Sequence, residues 1–93
     1  MTPYTEQAAS AQLSTLTGWA FRDNGIEKKY VFSDFIEAMG FIQRLALLSE
    51  KANHHAEIFN VYNRVNIRLS THDAGGVTDK DFALAKQLEN ILS

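Results

Sequence analysis

The sequence predicts an α+β fold of two layers, in which a four-stranded antiparallel sheet carries helices on one face. Three features of the 93-residue chain predict this class. An Asn-Gly pair separates two short apolar segments, a long middle segment has apolar residues at helical spacing, and a later segment alternates apolar and polar residues. Strands joined by tight turns pair antiparallel, and amphipathic helices cover a sheet face. We expect a leading helix and then β-β-α-β-β-α, in one domain spanning residues 1–93.

The first elements are a short helix and a hairpin. Residues 5–16 have small apolar side chains at helical spacing, with Thr5 or Thr2 as the expected N-cap. Two apolar segments then flank Asn24-Gly25, a pair that accepts the positive φ angles of a type I′ turn. We therefore expect the first hairpin to turn at Asn24-Gly25.

The middle helix is predicted from residue 35 to about residue 51, with Ser33 as N-cap and Asp34 in the first turn. Its apolar residues cover more than the ~100° stripe that one sheet face requires. Leu47 and Phe41 fall on the side away from the predicted buried stripe, which consists of Phe35, Met39, Ile42 and Leu45. We expect this surplus apolar side to form a subunit contact, helix against helix.

The second hairpin is predicted where residues 59–69 alternate with period two. The side chains expected on its buried face are Phe59, Val61, Val65, Ile67 and Leu69. Asn63-Arg64 is the expected turn, because Asn63 breaks the alternation. After Gly75-Gly76, Thr78 is expected to open a last helix that carries an apolar stripe.

Composition excludes several classes of function. With no cysteine, the chain has neither a disulfide framework nor a thiolate metal site. The net charge of −2 gives no electrostatic reason to expect nucleic acid or an anionic membrane as a direct partner. The first residues lack the basic and apolar segments of a signal peptide, and no run approaches the ~18 apolar residues of a membrane helix. We expect a soluble, cytoplasmic protein.

All three histidines lie in two short clusters beside carboxylates, and this is the main functional signal. Glu50 and His54 are four residues apart, on one helix face if the middle helix extends that far, so the carboxylate can hold the imidazole. His55 points about 100° away on a helix, and His72 follows the second hairpin. Because an unperturbed imidazole titrates near neutral pH, a cleft holding these histidines would suit general acid–base catalysis.

Other roles for these residues stay open at this point. Each histidine on its own is more often a surface or structural residue than a catalyst. A zinc or ferrous iron site is disfavoured, because no His-x-His or His-x-x-x-His spacing is present and adjacent ligands converge poorly. Asp81 has a structural alternative, since it follows Thr78 by three residues and fits the capping-box pattern.

With these residues assembled, the chain resembles the pterin-4a-carbinolamine dehydratases, whose vertebrate members also act as a dimerisation cofactor of a homeodomain transcription factor. The resemblance covers nearly the whole chain. Its most specific part is an acid, a three-residue gap, paired histidines, a downstream aromatic residue, a third histidine and a final Asp. The segments that carry it are Gly18-Trp19, residues 32–35, 38–41, 50–57, 59–65 and 69–72, and Asp81.

The resemblance implies a reaction and its requirements. Members of that family remove water from the 4a-hydroxytetrahydropterin that aromatic amino-acid hydroxylases leave, and the product is a quinonoid dihydropterin. One proton must reach the departing hydroxyl and another must leave the adjacent ring nitrogen, so no metal or cofactor is expected. The implied partners are the pterin substrate and, functionally, a hydroxylase. The resemblance also implies a homodimer or homotetramer, formed through the middle helix and the sheet edge.

The resemblance further implies the site residues. The catalytic residues are His54, His55 and His72, and the supporting acids are Glu50 and Asp81. The substrate-binding residues are His55, Glu57, Ser70, Thr71 and His72. We expect His54, oriented by Glu50, to be one main proton-transfer group. His72, oriented by Asp81, is expected to be the other, while His55 positions the pterin.

Two positions depart from the family pattern. Ala56 stands where the family usually has proline, so this turn lacks a fixed φ angle. Ile58 stands where vertebrate members have tryptophan. Neither change removes a proton-handling group, so activity is expected.

Two other functions stay open. One is a non-catalytic binding or coactivator module that uses the surface of the middle helix, with the pterin site idle. The other is a protein that acts on a different pterin-related cofactor, for instance in molybdopterin metabolism, on the same scaffold. The set of three histidines argues against a purely scaffolding role, because a scaffold has no need of them.

Overall fold

The computed structural model describes residues 2–92, so Met1 and Ser93, the ends of the predicted domain, lie outside the described residues. The helices are α1 (Glu6–Gln12), α2 (Phe35–Ala52) and α3 (Asp79–Leu92), with short 3₁₀ helices at Leu13–Thr15 and His72–Ala74. The strands are β1 (Ala20–Arg22), β2 (Gly25–Val31), β3 (Glu57–Val61) and β4 (Arg64–Leu69). They form one antiparallel sheet in the order β1-β2-β4-β3, which confirms the predicted α+β class and its order of elements.

The hydrophobic core lies between the sheet and the helices. Fully buried side chains come from β2, α2, β4 and α3. The largest of them include Ile26, Phe41, Leu45, Ile67 and Leu88. Removing one such side chain from water stabilises the fold by about 1.5–3 kcal/mol, so this layer holds the sheet against α2 and α3. The other face of the sheet is left open.

The first hairpin turns at Asp23-Asn24, not at the predicted Asn24-Gly25. Arg22 pairs with Gly25 across the ladder, and both turn residues have positive φ angles, 48° at Asp23 and 61° at Asn24. Asp and Asn tolerate this left-handed conformation better than other non-glycine residues. The prediction was therefore one residue late, and Gly25 is a strand residue.

The second hairpin turns at Tyr62-Asn63, and a two-residue turn puts Phe59 and Val61 on the face away from the core. Val65, Ile67 and Leu69 are buried as predicted, but Phe59 is 64% exposed and Val61 44% exposed. Tyr62 has a φ of 52°, and Val61 pairs with Arg64 across this two-residue turn. Directly opposite residues share a sheet face, so Phe59 and Val61 lie on the open face. The predicted burial of these two residues, and the turn at Asn63-Arg64, were wrong.

The caps of α2 explain where it starts and stops. Its N-cap is Asp34 and not the predicted Ser33, because the Asp34 carboxylate accepts a hydrogen bond of 2.8 Å from Glu37 N. The Glu37 carboxylate in turn accepts a bond of 3.1 Å from Ser33 N. At the other end, Asn53 adopts the left-handed conformation that commonly terminates a helix. Residue 54 is therefore outside the helix.

The faces of α2 match the prediction in part. Leu47 is 64% exposed and Ile36 81% exposed, which confirms a surplus apolar side. Phe41, however, is fully buried, and Phe35 is partly exposed, so the predicted placement of these two residues was wrong. Within residues 2–92 no helix is long and apolar enough to cross a membrane.

The remaining helices begin as expected. Thr5 caps α1 by accepting a hydrogen bond of 3.1 Å from Ala8 N. Asp81 reaches back to Thr78 N at 2.9 Å, which confirms the capping-box prediction for α3. The apolar stripe of α3 faces the core through Phe82, Ala85 and Leu88.

Candidate active site

The end of α2 sends the two adjacent histidines in different directions. His54 N donates to Ser49 O at 3.0 Å, immediately after the left-handed Asn53. The His54 side chain is only 10% exposed, whereas that of His55 is 59% exposed. One imidazole is thus inside the protein and its neighbour is on the surface.

His54 is held by a buried carboxylate. Its Nε2 lies 2.5 Å from Asp81 Oδ1, and Asp81 is fully buried. The other oxygen, Oδ2, accepts hydrogen bonds from Thr71 Oγ1 at 2.8 Å and from Thr78 N at 2.9 Å. Since Asp81 acts as an acceptor toward both, the simplest arrangement has His54 Nε2–H donating to it. His54 Nδ1 is then the ring atom left to accept or release a proton.

His55 is paired at the surface. Its Nε2 lies 2.6 Å from Glu50 Oε1, and both side chains are mostly exposed. Exposed pairs of this kind are screened by water and contribute about 0–1 kcal/mol. The pair therefore orients the His55 ring more than it stabilises the fold.

The predicted acid–histidine pairs were wrong, because the two acids have other partners. Glu50 holds His55 instead of His54, and Asp81 holds His54 instead of His72. The four-residue spacing of Glu50 and His54 brings side chains together only on a continuous helix. That helix ends at Ala52, and the left-handed Asn53 turns His54 inward toward α3.

His72 is positioned through its backbone. It opens the 3₁₀ helix that follows β4, and its residue is exposed. Thr71 and Gly76 form an isolated bridge that closes this loop, with Thr71 N donating to Gly76 O at 2.8 Å. The His72 ring forms no hydrogen bond or ion pair with the residues that the structure describes. It is consequently free to meet a ligand from solvent.

Thr71 joins the two histidine regions. It precedes His72 in the chain, and its hydroxyl donates to the carboxylate that holds His54. The same hydroxyl lies 2.6 Å from Thr78 Oγ1. One buried cluster of Thr71, Thr78 and Asp81 thus connects the inner histidine to the loop of the exposed one. The sequence predicted Thr78 only as the residue that opens α3. The Thr-x-x-Asp spacing was the signal for its contact with Asp81.

Two other predicted substrate-binding side chains have partners within the protein. Ser70 Oγ donates to Asn24 O at 2.8 Å, in the β1–β2 turn. The Glu57 carboxylate lies 3.2 Å from Arg68 Nε. Their role toward a substrate stays a prediction.

A wide groove lies elsewhere, on the open sheet face. Its volume is about 730 Å³, and its lining includes Lys29, Phe59 and Arg68. None of the three histidines lines it. The candidate site is therefore assigned by the hydrogen-bonded histidines and not by this groove. Among residues 2–92 no group of three or more histidine or acidic side chains is arranged to hold a metal ion.

Comparison with known proteins gives one consistent family. The family model for pterin 4 alpha carbinolamine dehydratase matches residues 2–91. A Rhizobium johnstonii protein with the provisional name pterin-4-alpha-carbinolamine dehydratase is 55% identical over 84 residues, which are 88% of this chain and 83% of that protein. A Sulfurisphaera tokodaii protein with the same provisional name is 39% identical over the full length of both chains.

Solved structures share the fold. A Brucella melitensis protein described as a transcriptional coactivator/pterin dehydratase superposes with a TM-score of 0.93 at 38% identity, over 99% of this chain and 100% of that chain. A pterin dehydratase-like protein described as a RuBisCO assembly factor of the α-carboxysome has a TM-score of 0.64 at 22% identity, over 77% of this chain and 83% of that chain. At that identity, the second likeness concerns the fold alone.

Proposed function

Since the chain belongs to the pterin 4 alpha carbinolamine dehydratase family, we propose that it dehydrates a 4a-hydroxytetrahydropterin to the quinonoid dihydropterin by histidine acid–base catalysis. The observation that carries the proposal is the contact of His54 Nε2 with the buried carboxylate of Asp81. An imidazole fixed in one tautomer beside a carboxylate is a general base prepared for proton transfer. We propose that the protein acts in the cytoplasm and that an aromatic amino-acid hydroxylase produces its substrate.

The proposed reaction consists of two proton transfers and the loss of water. A general acid protonates the 4a-hydroxyl, the carbon–oxygen bond breaks, and water departs. A general base removes the proton from the adjacent ring nitrogen, whose electron pair forms the new carbon–nitrogen double bond. Electrons are only redistributed within the pterin, so the balance requires no metal, oxidant or reductant. Each positioned imidazole accounts for a factor of about 10²–10⁴ in rate.

The surroundings of each histidine suggest a division of roles. His54 is the proposed base, because Asp81 holds its Nε2 and stabilises the imidazolium that forms when Nδ1 takes a proton. His72 is the proposed acid, because its exposed ring has no partner among the described residues and can meet the departing hydroxyl. His55, held by Glu50 at the surface, is proposed to position the pterin.

The exposed apolar surface of α2 bears on both oligomerisation and a second candidate function, the coactivator module. The exposed apolar residues of α2, including Ile36 and Leu47, are typical of a surface that binds another chain. We propose a homodimer or homotetramer that uses this surface together with the sheet edge. A coactivator module would use the same side of α2 to bind a different protein.

The first test of the proposed function is a coupled hydroxylase assay. We expect purified protein, added to a phenylalanine hydroxylase reaction, to accelerate the decay of the 4a-hydroxypterin absorbance. His72→Ala should lower that acceleration at least about 10²-fold, because it removes the proposed acid. The matched control is Asp73→Asn, at the neighbouring exposed residue. If folded wild-type protein leaves the decay unchanged, the enzyme proposal fails and the binding module gains support.

A further inference from the structure

Arg68 on β4 connects the start of β3 and the β1–β2 turn through a single guanidinium. It lies on β4, opposite Glu27 of β2 and Glu57 of β3, on the open face of the sheet. Its Nε lies 3.2 Å from the Glu57 carboxylate, and its Nη1 donates to Arg22 O at 2.6 Å. Its Nη2 donates to Asp23 O in the β1–β2 turn. A planar guanidinium can make these directed contacts together, whereas a lysine ammonium acts as a point charge.

Gly25 makes room for this guanidinium. A Cβ atom at residue 25 would lie 2.2 Å from Arg68 Nη1 and 2.5 Å from its Cζ. The φ angle of Gly25 is not positive, so its backbone does not require glycine. The close approach of the guanidinium to the turn is therefore the reason for glycine at this position.

The first of the two segments, the start of β3, directly follows the paired histidines. Residues 54–56 link the left-handed Asn53 at the end of α2 to Glu57, the first residue of β3. Glu57 and Arg68 form the terminal pair of the β3–β4 ladder, where strands fray most easily. The ion pair between their side chains fastens this end of β3. It thereby limits the movement of the link that carries His55.

The second segment is the β1–β2 turn, which adjoins the loop of the third histidine. Arg68 binds two carbonyl oxygens of this hairpin, and Ser70 Oγ binds the next one, Asn24 O, at 2.8 Å. Ser70 is two residues before His72 in the chain. A Cβ atom at Gly76, in the same loop, would lie 3.9 Å from Asn24 Cβ, so the turn and the loop are neighbours.

We propose that Arg68 is a positioning residue of the site, because its guanidinium fixes the start of β3 and the β1–β2 turn and thereby sets the separation of His55 and His72. Arg68 does not touch the reacting atoms in this proposal. The effect of Arg68 on turnover rests on the proposed dehydratase function. The effect of Arg68 on the positions of the histidine side chains does not.

The first arm of the test measures the histidines directly. We expect Arg68→Gln to shift the imidazole NMR signals of His55 and His72, while those of His54 stay close to wild type because Asp81 still holds it. Gly25→Ala should reproduce the shifts by displacing the guanidinium from the turn. The matched control is Arg64→Gln, an exposed arginine of the same strand and face whose side chain has no partner among the described residues.

The second arm measures turnover and uses two variants that separate the contacts. Arg68→Gln should lower kcat about tenfold with a smaller change in KM, since a displacement of catalytic groups affects the reacting geometry more than ground-state binding. Arg68→Lys should recover part of the loss by keeping the pair with Glu57. Glu57→Gln should show only the His55 shift, because the contacts with the turn remain.

The two arms separate failure of this inference from failure of the proposed function. If wild-type protein has no dehydratase activity, the NMR arm still decides the role of Arg68. Unchanged His55 and His72 signals in folded Arg68→Gln and Gly25→Ala overturn the inference, as does an equal shift in Arg64→Gln. Where Arg68→Gln does not fold, the Gly25→Ala and Glu57→Gln signals decide in its place.

Discussion

The carboxylate of Asp81 holds a candidate catalytic histidine with one oxygen and helps to fix the start of α3 with the other. One oxygen orients His54, and the other accepts from Thr71 Oγ1 and from the backbone N–H of Thr78, the residue before α3. Buried acceptors with several donors are costly to disturb, because any donor left without a partner keeps its full desolvation cost. A sequence pattern that first suggested only a helix cap therefore also identifies the partner of a candidate catalytic histidine.

Replacement of this carboxylate by an amide should harm both roles. In Asp81→Asn the amide must turn its NH₂ group toward His54 or toward the Thr71 and Thr78 donors. The first orientation forces His54 into the other tautomer, and the second leaves a buried donor unpaired. We expect a loss of about 2 kcal/mol in the free energy of unfolding, measured in urea. A fall in kcat of about 10²-fold or more should accompany it.

The control for Asp81→Asn is Asp73→Asn, which makes the same chemical change at an exposed residue beside the candidate site. It should leave the free energy of unfolding within about 0.5 kcal/mol of wild type. Wild-type stability and turnover in Asp81→Asn would contradict the role that we assign to the buried cluster.

At the scale of elements, polar side chains hold α3 at two levels, the loops beside the sheet and strand β2. Asp81 lies in its first turn, and Glu89, two turns further on, accepts from Lys28 at 2.9 Å and from Tyr30 at 2.5 Å on β2. Trp19 Nε1 donates to the same carboxylate at 3.2 Å. Burial acts to raise the pKa of Glu89, but the donors outweigh it, so this pKa lies below its ordinary value. Burial and the bond to Glu89 raise the pKa of Tyr30.

The hydrogen bonds that Glu89 accepts predict that the free energy of unfolding depends on pH in the acidic range. Because its pKa is lower in the folded state, Glu89 stabilises the fold above the ordinary value of 4.5, and this stabilisation is lost as pH falls through the lowered value. Glu89→Gln should therefore be less stable than wild type at neutral pH, with a difference that shrinks in acid. Urea unfolding at several pH values measures it, with Asp73→Asn as the control. If the difference in free energy of unfolding between Glu89→Gln and wild type stays constant as the pH falls, the stabilising role of the Glu89 carboxylate is contradicted.

The alternation of apolar and polar residues predicted burial correctly within a single strand. Val65, Ile67 and Leu69 are buried as their alternation indicated, because β4 is a central strand against the core. The side of β3 depends on the number of residues in the hairpin turn, and both the predicted and the observed turn have two. A two-residue turn pairs Phe59 and Val61 with even-numbered residues of β4, so they could not share a face with Val65.

The histidine partners depended on the conformation of one residue. The spacing of Glu50 and His54 suits a helix, and only the left-handed Asn53 separates them. Asparagine is a known residue at this position after a helix, so a signal was present, although a weak one. The contact of Asp81 with His54 joins residues 27 apart and arises from packing of α3 beside the end of α2. Local spacing carries no information on such a contact.

At the scale of the whole molecule, the side chains left exposed on α2 form a stripe. Ile36 and Leu47 are eleven residues apart, close to three full helical turns, so they lie on nearly the same side. Gly40 lies between them, and a Cβ atom there would have no neighbour within 4 Å. A glycine in such a stripe allows another helix to approach closely. This geometry supports the proposed contact between copies of the chain through α2.

Introduction of a charge into this stripe should weaken assembly without unfolding the chain. Burying a large apolar side chain contributes about 1.5–3 kcal/mol, and about 1.4 kcal/mol corresponds to a tenfold change in affinity. We therefore expect Ile36→Glu, and separately Leu47→Glu, to raise the dissociation constant more than tenfold, as measured by sedimentation at several concentrations. Gln87→Glu, an exposed change on α3, is the matched control and should sediment as wild type. If both α2 variants, shown folded by circular dichroism, keep the wild-type mass at every concentration, the copies do not meet through this stripe. The stripe would then be a free surface, as the coactivator alternative requires.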